Sequence, residues 1–419
     1  MIKKVRGTQD KLDLKLQNFI LNQIKKHLEC YNFSQIETPI LEQTKLFVHT
    51  LGEQTDVVCK EMYTFDSSPQ KENSICLRPE ATASTIRAYI ENKIEEKPWK
   101  VFSYGPMFRR ERPQKGRWRE FWQINIEVIN SDSIAQDANF IKMLDRFFSE
   151  YLKLEDYVIK LNFLGCLKDR NEHREKLYEF LEKSKSTICS TCTQRKEKNI
   201  LRIFDCKEES CKKIYLNAPK LIDFLCKDCK NEWDQLQETL QILSVSHIHD
   251  PFLVRGLDYY NKTVFEFCSK ELGAQDAFCG GGRYILGKTI GSKENYPSVG
   301  TGIGLGRLLL LVQKIEKQLT IPQPKTLHLI LPMSQDQQSL ALLLSDELQS
   351  NDLCTDVLLE GASLKNMMRK ANKMGTKYVL ILGEDEQKNN TVSIKNMQTG
   401  KSTIIKQNQV INYLHNKKI

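Results

Sequence analysis

The sequence has no apolar run long enough to cross a lipid bilayer, so we expect no membrane span. Its first residues, MIKKVRGTQDKLDL, contain no apolar stretch behind the lysines, which predicts that the chain carries no export signal. Thirteen cysteines in such a chain indicate a reducing compartment, with free thiols or metal ligands rather than a disulfide framework. Together these features favour a cytoplasmic protein.

Length and charge set the next limits. At 419 residues the chain is too long for one ordinary core, and two or three domains are expected. A content of 40% hydrophobic and 27% charged residues is normal for a soluble globular protein. The net charge of +9 makes an acidic partner plausible, and nucleic acid is the commonest one.

One stretch, FSYGPMFRRERPQKGRWREFWQINIEV from Phe102 to Val128, has the pattern of a long antiparallel hairpin. Its two strands are separated by a turn that contains Pro113 and Gly116. Between Arg109 and Arg119 there are six basic side chains and one acid. Because guanidinium groups match phosphate oxygens in geometry and charge, this cluster predicts an anionic ligand.

The returning strand of this hairpin alternates in an unusual way. Its apolar side chains share one face, and Gln123, Asn125 and Glu127 share the other. If helices cover the apolar face, the polar face becomes the floor of a cavity, where Gln123 and Glu127 offer an amide and a carboxylate to a small polar ligand. The alternative is an edge hairpin whose polar face is solvated.

The segments before the hairpin predict helices and a bend. Asp10 is a candidate N-cap for an amphipathic helix with an apolar stripe at Leu12, Leu16, Phe19, Ile24 and Leu28. Pro39 interrupts a short strand, which indicates either an edge that pairs with another subunit or a packed loop. A further helix is predicted to begin near Pro79, with Glu80 and Thr82 at its start, where they either face a ligand or cap the helix.

Six motifs occur in a characteristic order. They are RGTQD at Arg6, LRPEATAS at Leu77, FRRERPQKGRWREFWQ at Phe108, LVRGLDYYNKTVFEF at Leu253, GGRY at Gly281 and VGTGIGLGRLLLLV at Val299. Together they closely resemble the histidyl-tRNA synthetases, a family of class II aminoacyl-tRNA synthetases. The resemblance covers essentially the whole chain, and LVRGLDYYNKTVFEF marks the histidine-specific member of the class.

The resemblance implies an α+β fold and a homodimer built partly on the Pro39 segment. The fold would be a class II antiparallel sheet flanked by helices, with a cysteine-rich helical insertion and a C-terminal α/β anticodon-binding domain. The implied domains are a catalytic domain at 1–166 and 248–321, the insertion at 167–247 and the anticodon domain at 326–419. The implied reaction uses ATP with Mg²⁺ to convert L-histidine to histidyl-adenylate and pyrophosphate, then transfers histidine to the 3′ end of tRNA(His).

The resemblance also assigns site residues. Arg109 and Arg255 would be catalytic, on opposite sides of the α-phosphate, and would also contact histidine. The implied ATP ligands are Arg109, Arg117, Arg255 and Arg307. The implied histidine ligands are Glu80, Thr82 and Gln123 at the backbone end of the amino acid, and Glu127, Tyr260 and Tyr284 at the imidazole, with Tyr259 adjacent. Arg112, Gln114 and Lys115 of the hairpin loop would contact tRNA, unless this is a mobile charged loop that closes only on ATP.

The insertion carries six cysteines between Cys189 and Cys229. Two CxxC pairs, Cys189 with Cys192 and Cys226 with Cys229, have the spacing of a tetrahedral zinc site. Cys206 and Cys211 would then be spare or alternative ligands. The alternative is a set of reduced, partly buried thiols, since the family does not require metal here.

The C-terminal region begins after a linker at Thr320–Lys325 that contains two prolines. A βαβαβ alternation follows, which predicts a small domain with a mostly parallel sheet. Its predicted elements are strands at Leu327–Leu331, Val357 and Tyr378–Leu382, and helices at Leu340–Leu348 and after Ser363. In the family this domain reads the anticodon, although the pattern alone fits any small ligand-binding module.

Three positions depart from the family pattern. Gly306 replaces a usual glutamate before the motif arginine, Ile285 a usual aspartate after GGRY, and Ala81 a usual glycine. None of them removes an implied ligand. Two other functions fit parts of this pattern: a catalytically silent, synthetase-like regulatory subunit, and a nucleic-acid-binding protein that reuses the fold. The retained anticodon region argues against the first, and the retained amino-acid pocket argues against the second.

Overall fold

The structure is a computed structural model that describes residues 2–53, 55–65, 74–183, 188–273 and 276–416. It divides into two compact units, Met1–Ile321 and Pro322–Ile419. Within the described ranges, no helix has the length and apolar character needed to cross a membrane.

The first unit is built on strands of two sheets. In chain order they are β1 (Ser34–Gln35), β2 (Leu41–Gln43), β3 (Tyr63–Phe65), β4 (Ile75–Leu77), β5 (Trp99–Phe108), β6 (Glu120–Ile129), β7 (Val158–Phe163), β8 (Ile248–His249), β9 (Tyr260–Cys268), β10 (Ala277–Leu286) and β11 (Tyr296–Gly304). The large sheet has the order β1-β5-β6-β11-β10-β9-β7-β8, and the small one β2-β4-β3. All central pairings of the large sheet are antiparallel, and only β1 and β8 at its ends pair in parallel.

The helices of the first unit cover this sheet and form the insertion. They are α1 (Lys15–Glu29), α2 (Thr44–Leu51), α3 (Thr82–Glu91), α4 (Ile134–Arg146), α5 (Leu167–Lys183), α6 (Ser190–Lys198), α7 (Glu209–Tyr215), α8 (Lys227–Ile242) and α9 (Leu305–Val312). The predicted stripe of α1 is buried from Leu16 onward. Two expectations there were wrong: Leu14 rather than Asp10 is the N-cap, and Leu12 precedes the helix and is 98% exposed.

The predicted hairpin is confirmed as β5 and β6, which pair from Trp99 opposite Ile129 to Phe108 opposite Glu120. Strand β6 lies between β5 and β11, so the edge-hairpin alternative is wrong. Ile124, Ile126 and Val128 on its apolar face are fully buried in the main core. Asn125 and Glu127 on its polar face are buried as well, so this face can form the floor of a cavity.

The insertion contains a small core of its own. Helices α5, α6 and α7 surround Leu177, Leu181, Cys192, Ile200, Ile203, Cys206, Cys211, Tyr215 and Ala218. Helix α8 instead packs against α4 and buries Trp233, Leu236 and Leu240 in the main core. The last helix of the cysteine-rich segment is therefore part of the packing beneath the large sheet.

The second unit is an α/β layer. Its strands are β12 (His328–Pro332), β13 (Thr355–Val357), β14 (Tyr378–Leu382), β15 (Thr391–Asn396) and β16 (Ser402–Lys406), and its helices are α10 (Gln338–Ser350), α11 (Leu364–Lys373), α12 (Glu384–Asn389) and α13 (Val410–Asn416). The sheet order is β13-β12-β14-β15-β16. The predicted βαβαβ part is present and parallel, but β15 and β16 pair in antiparallel, so the expectation of a mostly parallel sheet was wrong.

Candidate active site

Two glycines of β11 create the space in which polar side chains of β6 lie. Gly300 pairs with Glu127, and a Cβ at Gly300 would overlap the Glu127 carboxylate. A Cβ at Gly302 would likewise overlap the amide of Gln123. The glycine-rich strand therefore does more than lead into Arg307, because it lets Gln123 and Glu127 extend across the sheet floor.

Glu127 is the centre of a buried hydrogen-bond network. The Thr82 hydroxyl donates to its Oε1 at 2.7 Å, and the Tyr284 hydroxyl donates to its Oε2 at 2.7 Å. Glu127 is 1% exposed, and burial raises its pKa to about 8, although the hydrogen bonds from Tyr284 and Thr82 oppose the shift. The network fixes a carboxyl group that can exchange a proton near neutral pH.

Glu80 caps the helix that carries Thr82. Its carboxylate accepts hydrogen bonds from the backbone N–H groups of Thr82 at 2.8 Å and Ala83 at 2.9 Å. Helix α3 begins at Thr82, three residues later than the predicted start at Pro79. Burial raises the pKa of Glu80, while these two N–H groups oppose the rise. The Glu80 carboxylate thus caps the first N–H groups of the helix, as one of the two predicted alternatives. Each of its oxygens keeps a further lone pair that a ligand can use.

Three buried tyrosines, Tyr259, Tyr260 and Tyr284, lie between Glu127 and Arg255. The ring centroids of Tyr259 and Tyr260 are 4.5 Å apart, and those of Tyr259 and Tyr284 are 5.4 Å apart. The guanidinium of Arg255 lies over the Tyr260 ring, 5.7 Å from its centroid. The predicted imidazole side and the predicted phosphate side therefore form one continuous wall.

Arg255 is positioned by two residues that motif analysis missed. Its guanidinium forms an ion pair with Glu266 of β9, and a Cβ at Gly280 of β10 would lie 2.6 Å from its Nη1. Gly280 and Glu266 are register partners, so they face the same side of the sheet. Strand alternation from Tyr260 could have placed Glu266 on this face, whereas nothing local marks Gly280.

Arg109 follows the last residue of β5. Its Nε donates to the carbonyl of Pro79 at 2.9 Å, and its guanidinium lies 5.3 Å from the centroid of the Phe121 ring. Burial lowers the pKa of Arg109, and the charge of Arg255 lowers it further, while Glu61 and Glu80 oppose the shift. Arg109 and Arg255 therefore share one electrostatic environment.

Arg307 joins the start of α9 to the hairpin loop. Its Nε donates to the carbonyl of Gly116 at 3.0 Å, and its Nη1 donates to the carbonyl of Ala277 at 2.6 Å. Burial lowers the pKa of Arg307, and Arg117 and Arg109 lower it further. The four predicted ATP ligands thus come together from separate parts of the chain.

The hairpin loop is a tight turn with an outward-facing tip. Gln114 and Arg117 exchange backbone hydrogen bonds at 3.0 and 2.9 Å, and Gly116 has a φ of +74° that favours glycine. Arg117 forms an ion pair with Glu111, a buried acid that sequence analysis did not assign. The predicted tRNA contacts Arg112, Gln114 and Lys115 are all exposed.

Among the described residues, the buried polar atoms without a hydrogen-bond partner include Oε1 of Gln123 and Nε of Arg255. An unpaired buried polar group costs about 1–3 kcal/mol, so native structures rarely keep one without a reason. Both atoms belong to predicted histidine ligands, and a bound polar ligand would satisfy them.

The predicted zinc ligands do not meet at one site. Cys189 and Cys192 lie with Cys206 and Cys211, whereas Cys226 and Cys229 lie with Cys166 and Asp169. The expected grouping of the two CxxC pairs was therefore wrong. Sequence spacing identifies each pair, but only the packing of α5 to α8 decides which partners complete it.

The three departures from the family pattern leave the site residues in place. A Cβ at Gly306 would meet no atom within 4 Å, so a larger residue fits there. Ala81 is fully buried as the N-cap of α3, and Ile285 is half-buried on β10. None of the three makes a hydrogen bond to the predicted ligands through its side chain.

Comparison with known proteins agrees with this geometry. A family model described as histidyl-tRNA synthetase matches residues 13–308, and one described as anticodon binding domain matches residues 328–417. The chain belongs to the histidyl-tRNA synthetase family. It is therefore a class II aminoacyl-tRNA synthetase, and the resemblance inferred from the motifs is confirmed, as is the predicted α+β fold class.

Two relatives cover nearly all of the chain. A protein named histidine–tRNA ligase from Clostridioides difficile (strain 630) is 36% identical over 100% of both chains. One of the same name from Thermosipho melanesiensis is 40% identical over 98% of both chains. These levels of identity over the full length extend the family assignment to the insertion and the second unit.

Solved structures give the same fold. The apo histidyl-tRNA synthetase of S. aureus matches with a TM-score of 0.80 and 31% identity over 99% of both chains. The synthetase from Nostoc sp. PCC 7120 matches with a TM-score of 0.63 at 21% identity, which shows the fold alone. The same holds for a protein from Bacillus halodurans C titled as a regulatory subunit of ATP phosphoribosyltransferase or a histidyl-tRNA synthetase, with a TM-score of 0.60 at 20% identity over 88% of this chain and 96% of that one.

Proposed function

We propose that this protein is a histidine–tRNA ligase that uses ATP with Mg²⁺ to activate L-histidine and then esterifies tRNA(His). The observation that carries the proposal is the unbroken series of contacts from Thr82 through Glu127 and the three tyrosines to Arg255. This series connects a polar pocket that can bind an amino acid to a group of arginines that can bind a nucleotide.

In the first step the histidine carboxylate attacks the α-phosphate of ATP, and pyrophosphate leaves. Negative charge develops on the phosphate oxygens, so catalysis depends on fixed cations and in-line positioning. Arg109 and Arg255 supply charge at the α-phosphate, while Arg117 and Arg307 bind the leaving phosphates. Mg²⁺ bound to ATP would supply further positive charge for the phosphate oxygens.

Acidic partners hold two of these arginines. Arg255 is paired with Glu266, and Arg117 with Glu111. Because Glu266 lies on the sheet behind Arg255, this pair can remain when phosphate arrives and keeps the guanidinium oriented. Arg117 lies in the hairpin loop, and we infer that it exchanges Glu111 for a phosphate oxygen.

The histidine pocket follows from the side chains around Glu127. Glu127, Tyr260 and Tyr284 read the imidazole nitrogens, with Tyr259 packed beside them, and Gln123, Glu80 and Thr82 hold the ammonium end. A competing amino acid without a polar ring would leave Glu127 and the tyrosine hydroxyls unpaired. Such pockets reject a wrong ligand strongly, which makes a separate editing site unnecessary.

The second step requires the tRNA 3′ end beside the adenylate. Arg112, Gln114 and Lys115 project from the hairpin that also carries Arg109, so they are suited to phosphates near that end. The second unit matches an anticodon-binding family model at residues 328–417 and is the proposed reader of the anticodon. We further propose that the protein is a cytoplasmic homodimer, that 1–166 and 248–321 form its catalytic domain, and that 167–247 is an insertion.

The decisive experiment is ATP–pyrophosphate exchange measured with each of the twenty amino acids. We expect exchange with histidine alone. Arg255→Ala should lower that exchange roughly 100-fold or more, as loss of a transition-state donor does, while the thermal unfolding curve keeps its cooperative shape. ATP–pyrophosphate exchange that does not require histidine would refute the proposed specificity, and no exchange with any amino acid would instead indicate a catalytically silent regulatory subunit.

A loop variant separates the two steps. Lys115→Ala should leave exchange unchanged and weaken tRNA charging, since Lys115 is exposed at the loop tip. Lys25→Ala, an exposed lysine of α1, is the matched control and should affect neither reaction. Equal tRNA charging by both variants would remove Lys115 from the tRNA interface.

A further inference from the structure

The cysteines of the insertion form two separate groups of metal-ligand type. The first group is Cys189, Cys192, Cys206 and Cys211, and the second is Cys166, Asp169, Cys226 and Cys229. Within each group the ligand atoms all lie within 4.8 Å of one another. Each group therefore has the size of a four-ligand site.

The first group has the dimensions of tetrahedral zinc. A Zn–S bond of about 2.3 Å places the sulfurs of such a site about 3.8 Å apart. The Sγ atoms of Cys189 and Cys206 are 3.8 Å apart, and all four cysteines are free thiols. A disulfide would bring two sulfurs to about 2.05 Å, so these side chains are arranged around a shared point and not as bonded pairs.

Burial and chain spacing support this site. Cys192, Cys206 and Cys211 are buried in the small core of the insertion. Cys189 and Cys192 open helix α6 with CxxC spacing, and Cys211 lies in α7. A metal that joins two short helices compensates for a core too small to hold them by apolar burial alone.

The first group also supports the neighbouring active site. The segment between Cys192 and Cys206 contacts the loop that carries Arg255: Asn199 Nδ2 donates to Asp258 Oδ1 at 2.8 Å, and Arg202 Nη1 donates to the carbonyl of Gly256 at 3.1 Å. Fixing the two cysteines therefore fixes the ends of the segment that contacts the residues directly after the predicted catalytic arginine.

A different observation supports the second group: the N-terminal ends of α5 and α8 lie close together. Cys166 precedes α5 and Cys226 is the N-cap of α8. Asp169 is buried between them, and its two oxygens accept hydrogen bonds from the backbone N–H groups of Cys166 and Cys226, both at 3.1 Å. Gly165 makes room for it, since a Cβ there would lie 2.6 Å from Asp169 Oδ2.

These contacts orient Asp169 without using all of its lone pairs, so one carboxylate oxygen remains able to bind a metal. Three thiolates and one carboxylate favour zinc over magnesium or calcium, which prefer oxygen ligands. Because Leu236 and Leu240 of α8 are buried in the main core, a metal here would fasten the insertion to the catalytic sheet.

We propose that the protein holds two structural zinc ions, one on Cys189, Cys192, Cys206 and Cys211 and one on Cys166, Asp169, Cys226 and Cys229. Neither ion takes part in the synthetase reaction. The first stabilises the insertion beside the Arg255 loop, and the second joins the insertion to the catalytic sheet.

Metal content of the full-length chain, purified without chelators, tests the proposal. We expect two zinc ions per chain. Cys206→Ser and Cys229→Ser should each lose one ion, whereas Cys76→Ser should keep both. Cys76 is a suitable control because it is equally buried, lies outside both groups and donates to the carbonyl of Glu42, which a serine hydroxyl can also do.

Cobalt(II) provides a readout that needs no substitution. After zinc removal by a chelator, the unmodified chain should bind two equivalents of cobalt chloride and develop thiolate-to-cobalt absorption, with a higher thermal unfolding temperature than the metal-free chain. A chain that holds no zinc as purified and develops no thiolate-to-cobalt absorption would overturn both sites. One zinc ion that is lost in Cys206→Ser but kept in Cys229→Ser would overturn the second site alone.

Discussion

Gly302 of β11 lies against the side chain of Gln123 on β6, so closely that a Cβ at position 302 would overlap the Gln123 amide. Gly300 has the same relationship to Glu127. A strand without side chains on this face gives its neighbour room to extend polar groups across the sheet. The proposed histidine pocket therefore depends on the absence of side chains at two glycines of β11 as much as on the polar side chains of β6.

Gly302→Ala should damage this pocket without unfolding the chain. The new methyl group displaces Gln123, and a shift of about 1 Å at a ligand contact costs about 100-fold in rate. We expect kcat/KM for histidine in ATP–pyrophosphate exchange to fall by roughly 10- to 100-fold. Gly256→Ala is the control, since a Cβ there meets no atom within 4 Å. Equal values for the two variants would contradict the role of Gly302.

Glu127 should give the protein a specific pH dependence of stability. In the folded chain burial raises its pKa to about 8, whereas an unfolded glutamate titrates near 4.3. Between these values the unfolded chain has lost the proton that the folded chain keeps, so this group makes the free energy of unfolding fall as pH rises. The slope is at most about 1.4 kcal/mol per pH unit, and it ends above about pH 8.

Glu127→Gln removes this titration, so the variant should gain stability relative to the parent chain as pH rises from 5 to about 8. Urea unfolding at several pH values measures the difference. Glu120→Gln, the same substitution at an exposed position of the same strand, is the matched control for the change from carboxyl to amide. Parallel pH profiles for the Glu127 variant and the parent would refute the raised pKa.

Arg283 and Asp137 form a buried ion pair that fastens β10 to α4. The Arg283 guanidinium binds both oxygens of Asp137 and also donates to the carbonyls of Ser131 at 2.6 Å and Ser133 at 2.7 Å. Arg283→Met should lower the free energy of unfolding by about 3–5 kcal/mol, because it leaves a carboxylate buried and unpaired.

The matched test is a double-mutant cycle with Asp137→Leu. The double variant should cost clearly less than the sum of the two single changes, since neither charge is then left alone. Additive costs in urea unfolding would show that the two side chains do not interact. The soluble single variant should still catalyse histidine-dependent exchange, because Arg283 and Asp137 lie outside the proposed pocket.

Gly306 offers a stabilising substitution. It is in the first turn of α9, and a Cβ there would meet no atom within 4 Å. Gly306→Ala should raise the free energy of unfolding by about 0.5–1 kcal/mol, and Gly306→Glu should add about 0.3–1 kcal/mol from the helix dipole. Thermal melts measure both. Gly281→Ala is the contrasting variant and should destabilise, because its Cβ would overlap the carbonyl of Gly300.

Several structural features were accessible from local sequence pattern. Period-two alternation predicted the β5–β6 hairpin, and its polar face correctly suggested a covered floor. The helix of residues 15–29 was predicted from its apolar stripe, but its start was placed too early because Asp10 offered a plausible cap. A capping residue is judged from its own chemistry, whereas the start of the helix depends on which turn first packs against the sheet.

The sequence by itself determined the family and the fold class, because the order of the motifs and the period of the apolar residues can be recognised without coordinates. Only the tertiary structure decided which cysteines meet, which acid orients Arg255 and why β11 needs its glycines. Those facts depend on distances between segments that are far apart in the chain. Cys166 and Cys229 become neighbours only because α5 and α8 start side by side, and no spacing within either helix could have predicted that contact.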